Sequence, residues 1–170
     1  MKQELVDRYP GDSLVVTIVW SPMMPGDSED AAREASRMFD STRVEQCYDP
    51  NRRVGDVLRR RVFSHAYDQA LASLPADHWL RESMPQMKSR YEKSPEWDIY
   101  MFFEPGLEWN DAPPRPTRFV RHLGRVIEKN GERLSLMWID GYDNPPVEGN
   151  LPTEIGRLGR ELLEPVGSGR

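Results

Sequence analysis

Hydrophobic residues in this chain fall in a few dense runs separated by long polar stretches. Leu14-Val15-Val16-Thr17-Ile18-Val19-Trp20 is apolar without alternating. That pattern predicts a strand covered on both faces. The loop Ser21–Ser28 follows, and Asp27 or Ser28 can cap the helix after it, with Glu29 and Asp30 at the positive end of its dipole. Ala31, Ala32, Ala35, Met38 and Phe39 recur at helical spacing and mark its apolar face. Val44 to Tyr48 reads as a short second strand, ended by the turn Asp49-Pro50-Asn51. Val54, Val57, Leu58 and Val62 form another helical stripe, with Arg52, Arg53, Arg59, Arg60 and Arg61 around it.

From Phe63 to Lys93 the pattern is helical but irregular. Ala66, Ala70 and Leu74 suggest one helix ended by Pro75, and Trp79-Leu80 with Met84-Pro85-Gln86-Met87 suggests a shorter one. Trp97 to Phe103 is the second strong strand, stopped by Pro105 and Gly106, and the proline-rich stretch Glu108–Pro116 comes after it. Phe119, Val120, Leu123, Val126 and Ile127 have helical spacing and predict a helix closed by Asn130-Gly131. Leu134 to Ile139 is the third strong strand. Asn150 caps a last helix that has Pro152 in its first turn, and Leu151, Ile155, Leu158 and Leu162 form its inner face. Pro165 ends that helix, and the tail Val166–Arg170 is expected to fray. Helices alternating with uniformly apolar strands predict an α/β layer structure: one domain over residues 1–170, helices on both faces of a sheet, the three strong runs as central strands, and a helical insertion from about 54 to 93.

Composition narrows the function classes. A chain of 170 residues is long enough for a real core, and Trp, Tyr and Phe are spread along all of it, which argues against disorder despite 15 prolines. A net charge of −5 gives no nucleic-acid footprint. Cys47 is alone, so there is no CxxC and no cysteine zinc site. His65, His78 and His122 lack metal-binding spacing, and His122 falls on the flank of the helix predicted around it. No metal and no cofactor are expected. The N-terminus has no apolar signal-like segment and no run approaches the roughly 20 residues of a membrane span, so a cytoplasmic protein is the expectation.

Three places could carry chemistry. The loop Ser21–Ser28 leaves the carboxyl end of a strand and enters a helix, where open α/β sheets bind ligands. Its residues Pro22, Met23, Met24 and Pro25 are apolar and could instead only pack. Glu104, Glu108 and Asp111 cluster after the second strong strand and could do acid–base work or hold a hard cation, the alternative being a solvated acidic loop. Trp109 sits in the stiff proline-rich loop and could anchor a partner, or tuck onto its own domain. Asp98, inside an apolar strand, needs a partner, an arginine being one choice. The Arg59–Arg61 run reads as a solvated helix face.

Two family resemblances rest on short phrases. Strand 14–20, loop, helix and a strand ending in Asp49-Pro50-Asn51, followed by Ser94-Pro95 before strand 97–103, resembles the thioredoxin-like superfamily. The phrases Tyr48-Asp49-Pro50, Val54-Gly55, Trp97-Asp98-Ile99-Tyr100, Trp109 and Pro113-Pro114-Arg115-Pro116 look like uncharacterised bacterial members of it. The resemblance implies a single thioredoxin-like three-layer domain, with Pro95 as the cis-proline beside the reactive loop. The CxxC position holds Pro22-Met23-Met24-Pro25, and thioethers cannot exchange disulfides. Ser21–Ser28 also resembles the GxxxxGK[ST] loop of P-loop ribosylnicotinamide kinases by spacing, with Asp27 at the lysine position, where it would repel phosphate. The resulting expectation is a non-catalytic protein-binding or self-associating module, with no dithiol redox activity and no ATP turnover. Its binding face would be Pro22, Met23, Met24, Pro25, Pro95 and Trp109. The alternatives are an enzyme with a non-thiol site or a degenerate P-loop nucleotide-binding protein.

Overall fold

In a computed structural model the chain mixes helices and strands, as an α/β reading requires, but in two separate sheets. The structure describes residues 2–10, 14–39, 42–78, 81–82, 85, 88–89, 92–110, 113–129, 131–139 and 147–164. The tail 166–170, Asp111, most of the 140–150 loop and much of the helix suggested at 84–87 lie outside them.

A π-helical turn, Lys2–Val6, opens the fold. β1 (Val16–Trp20) follows and pairs in parallel with β2 (Val44–Tyr48), Val16 opposite Val44 and Trp20 opposite Tyr48. Between them runs α1 (Glu29–Ser36), continued by a 3₁₀ turn at Arg37–Phe39. Ser28 caps α1, its Oγ accepting from Ala31 N at 3.1 Å. Phe39 is buried while Met38 is 58% exposed, because the tightened last turn rotates Met38 off the apolar face.

α2 (Arg53–Arg61) and α3 (Ala66–Ser73) connect the two sheets. The second sheet has the order β3 (Ile99–Phe102), β4 (Arg118–Lys129), β5 (Glu132–Ile139), β6 (Val147–Gly149), antiparallel throughout. The three strong apolar runs therefore do not form one central sheet. The first belongs to the parallel pair, and the other two are separated by β4.

β4 is the principal departure from the sequence pattern: the helix predicted at 119–127 is a strand. Phe119 and Val120 are adjacent and both fully buried, so β4 is covered on both faces and needs no alternation. Without alternation, apolar residues can fall at helical spacing by accident. Gly131 is correspondingly not a helix cap, and Asn130 lies outside the described residues. Lys129 pairs with Glu132, leaving two residues between the strands, and Gly131 has φ +77°. Asn-Gly is a favoured dipeptide for such a tight hairpin.

The last helix, α4 (Leu151–Leu163), starts where the sequence places it, with Asn150 Oδ1 accepting from Thr153 N at 3.2 Å. Its Ile155 and Leu158 join Leu5, Phe102, Val120 and Met137 in one buried cluster. On the opposite sheet face Phe119 stacks edge-on with Phe63, from the α2–α3 turn, at 5.2 Å, and with Trp138 at 5.6 Å. Helical segments thus cover both faces of the four-stranded sheet. A second cluster, Val6, Phe39 and Val44, lies under the parallel pair. Leu5 and Val6, neighbours on the opening turn, enter one cluster each and join the two halves.

Candidate functional site

The loop after β1 closes on itself. Asp27 Oδ2 accepts from Met23 N at 2.8 Å and Met24 N at 2.6 Å, and Asp27 N donates to Met24 O at 3.0 Å. Gly26, at φ +99°, makes the reversal. These amides are the kind that cradle an anion, and the chain's own carboxylate occupies them. Pro22 and Met23 are half-buried, Pro25 is exposed, and Met24 is 59% exposed.

Pro95 lies against α2. Glu96 N donates to Gly55 O at 3.0 Å, and a Cβ on Gly55 would collide with the Glu96 carbonyl oxygen. The Ser94–Pro95 peptide is trans, so the cis-proline implied by the thioredoxin resemblance is not formed here. Trp109 is 52% exposed and rests on Phe103, their ring centroids 6.1 Å apart. Among the described residues, no hydrogen bond or ring contact joins Pro95 or Trp109 to Pro22–Pro25.

Glu104 and Glu108 are exposed, and neither lines the cleft between α2, α3 and the proline-rich loop. Among the described residues no group of three His, Cys, Asp or Glu side chains could hold a metal, and no helix is long and apolar enough to cross a membrane.

The polar groups that folding does bring together lie at the start of β3. Arg121 Nε donates to Glu96 Oε2 at 2.6 Å, with both side chains buried. Next along β4, His122 Nδ1 meets Asp98 Oδ2 at 3.0 Å, and His122 N donates to Asp98 O at 3.1 Å. Adjacent strand residues point to opposite faces, so the two pairs sit on opposite sides of the sheet. Asp98 is thus partnered by a histidine rather than an arginine, and His122 is a half-buried strand residue rather than the flank of a helix. Asp98 has φ +53°, a left-handed conformation that a non-glycine residue holds only when its surroundings enforce it. The signal for these pairs was present only as charged residues inside apolar runs; their pairing depends on the β3–β4 register.

A histidine oriented by a carboxylate can serve as a general base through its other nitrogen. Here Nε2 is buried and has no hydrogen-bond partner, as is Oε1 of Glu96. The Glu96–Arg121 pair is buried and the Asp98–His122 pair half-buried, and together they hold the entry of β3 in place. Tyr100, two residues on, has its phenol raised above the usual value, by burial first and then by the Asp98 charge.

Compared with protein-family models, curated proteins and solved structures, the chain matches none.

Proposed function

We propose that this chain is a non-catalytic protein-binding module, built on a thioredoxin-like plan, that takes up an extended peptide segment of a partner along the free edge of β3. The observation that carries this reading is the exposed aromatic and apolar side chains flanking that edge: Trp97 before it, Leu107 and Trp109 after it, between 42% and 52% exposed. Among the described residues β3 pairs only with β4. The bond from His122 N to Asp98 O sets the ladder phase. In that phase Asp98, Tyr100 and Phe102 face β4, while the N–H and C=O groups of Ile99 and Met101 point outward. β3 contains no charge or proline to guard this edge. Such an edge, with aromatic anchors beside it, suits β-strand addition, in which main-chain bonds supply affinity and neighbouring pockets supply specificity.

The thioredoxin-like plan is supported by the parallel β1–α1–β2 unit, the antiparallel β3–β4 pair and the terminal helix packed on one sheet face. The non-catalytic part is supported by the missing thiol pair and by the inward-facing histidine. Asp27 filling the loop amides argues against the P-loop reading.

The test is selection of peptides from a random library on the folded protein, followed by calorimetric titration. Extended peptides with alternating apolar residues should be enriched, and Trp109→Ala should weaken their binding at least about tenfold. Met23→Asp combined with Trp109→Ala, with an unchanged circular dichroism spectrum, separates the two loops. If the Ser21–Gly26 loop belongs to the same face, the double variant binds more weakly than Trp109→Ala alone. Enrichment that is the same on wild type and on Trp109→Ala defeats the reading.

A further inference from the structure

The α2–α3 turn and the returning proline-rich segment enclose an open cleft of about 390 Å³. Its apolar floor is made by Val62 and Pro113, both buried. Around that floor stand Arg61, His65 and Arg115, with Ser64 and Gln69 completing the wall. The sign of this lining is unusual for the chain. The protein carries 28 acidic against 23 basic residues, yet among the described residues no carboxylate lines the cleft. The nearest acid in sequence, Asp68, is held by Lys88 Nζ at 2.7 Å. Arg59 and Arg60 are tied to their own helix, at Asp56 Oδ1 and Asp56 O. The Arg61 guanidinium makes no hydrogen bond or ion pair among the described residues.

We infer that this cleft binds a phosphomonoester of a small organic molecule. Guanidinium groups match phosphoryl oxygens in charge and in fork geometry, and the pairing is strongest where water is partly excluded. Arg61 and Arg115 both line the cleft and come from chain segments more than fifty residues apart, so its positive charge is supplied from two parts of the chain. The Ser64 hydroxyl and the Gln69 amide add neutral donors. The cleft is far larger than a lone phosphate needs and lies at the lower end of the usual range for small-ligand sites, roughly 300–1,000 Å³. The apolar floor accounts for that surplus by taking the organic part of the ligand. This inference does not depend on the peptide-binding reading, because none of its residues belongs to β3 or to the aromatic side chains flanking it.

The probes are phenyl phosphate, inorganic phosphate and phenol, each titrated by calorimetry and by phosphorus NMR line broadening where a phosphorus is present. Phenyl phosphate should bind saturably at millimolar concentration or below, more tightly than inorganic phosphate, and phenol should not bind. Binding should weaken as salt is raised. Arg61→Gln should lower the affinity about tenfold, and Arg115→Gln by a similar factor. Arg61 is exposed at the end of α2, so its variant keeps the fold even if the Arg115 variant disturbs the loop. Arg33→Gln, on α1, should change nothing. The inference is overturned by absence of saturable binding, by equal affinity for inorganic phosphate and phenyl phosphate, or by an unchanged affinity in Arg61→Gln.

Discussion

Glu96 and Arg121 are each other's counter-ions in a place where neither reaches water. A buried pair of this kind adds little net stability against an apolar substitute, but removing one partner strands a charge, at a cost of roughly 3–5 kcal/mol. Glu96→Ala should therefore lower the urea midpoint severely. Glu96→Leu combined with Arg121→Met should recover much of the loss, and a double variant as unstable as the single would contradict the pairing. Tyr100 gives a pH-dependent counterpart. The folded chain keeps this phenol protonated to a higher pH than the unfolded chain does. Its contribution to stability is thus complete below about pH 10, the ordinary phenol value, and is lost as pH rises through the folded value. Tyr9 shifts the same way, from partial burial and then from Glu164. Denaturation of wild type and Tyr100→Phe from neutral pH to above that value should show a shallower alkaline decline in the variant.

At the scale of elements, contacts at glycines set the packing. A Cβ on Gly55 would meet the Glu96 backbone carbonyl, whereas one on Gly159 would meet the end of the Leu5 side chain. A backbone atom cannot turn aside as a side chain can. Gly55→Ala should therefore cost more than Gly159→Ala, and overpacking of this kind typically costs about 1–3 kcal/mol. Thermal melts of the two variants give the order, and the reverse order would mean that α2 is not held against the entry of β3. The same elements show what was legible in the sequence. β2, the Ser28 cap of α1 and the Asn150 cap of α4 were readable because local chemistry decides them: a cap needs only its own side chain and an amide three residues on. β4 was not readable by periodicity, since burial on both faces removes the alternation that marks a strand. The Asn130-Gly131 dipeptide held the correct signal, and the helical spacing before it drew it into the role of a cap. The Asp98–His122 and Glu96–Arg121 pairs could not be read at all without the register, because residues about 25 apart in sequence meet only across the β3–β4 ladder.

At the scale of the whole molecule, the two sheets share no ladder among the described residues and are joined through their cores. Leu5 belongs to the cluster under α4 and the adjacent Val6 to the cluster under the parallel pair, while Arg43 Nη2, at the start of β2, donates to Val6 O at 2.9 Å. The opening turn is thus a clamp, and Leu5→Ala should destabilise by about 2–5 kcal/mol, the usual cost of emptying a buried leucine site. An unfolding transition that splits in two in this variant would show that the sheets then melt separately, whereas an unshifted transition would show that the clamp contributes nothing. This arrangement leaves the β3 edge as the feature most in need of an occupant, and the function proposed here depends on it. The most direct measurement is an amide chemical-shift map of the labelled protein, recorded with and without a library-selected peptide. The account predicts that the largest shifts fall at Ile99 and Met101, whose amides face outward, and at Leu107 and Trp109 beside them. Shifts confined to other surfaces, with these four unchanged in the bound state, would contradict it.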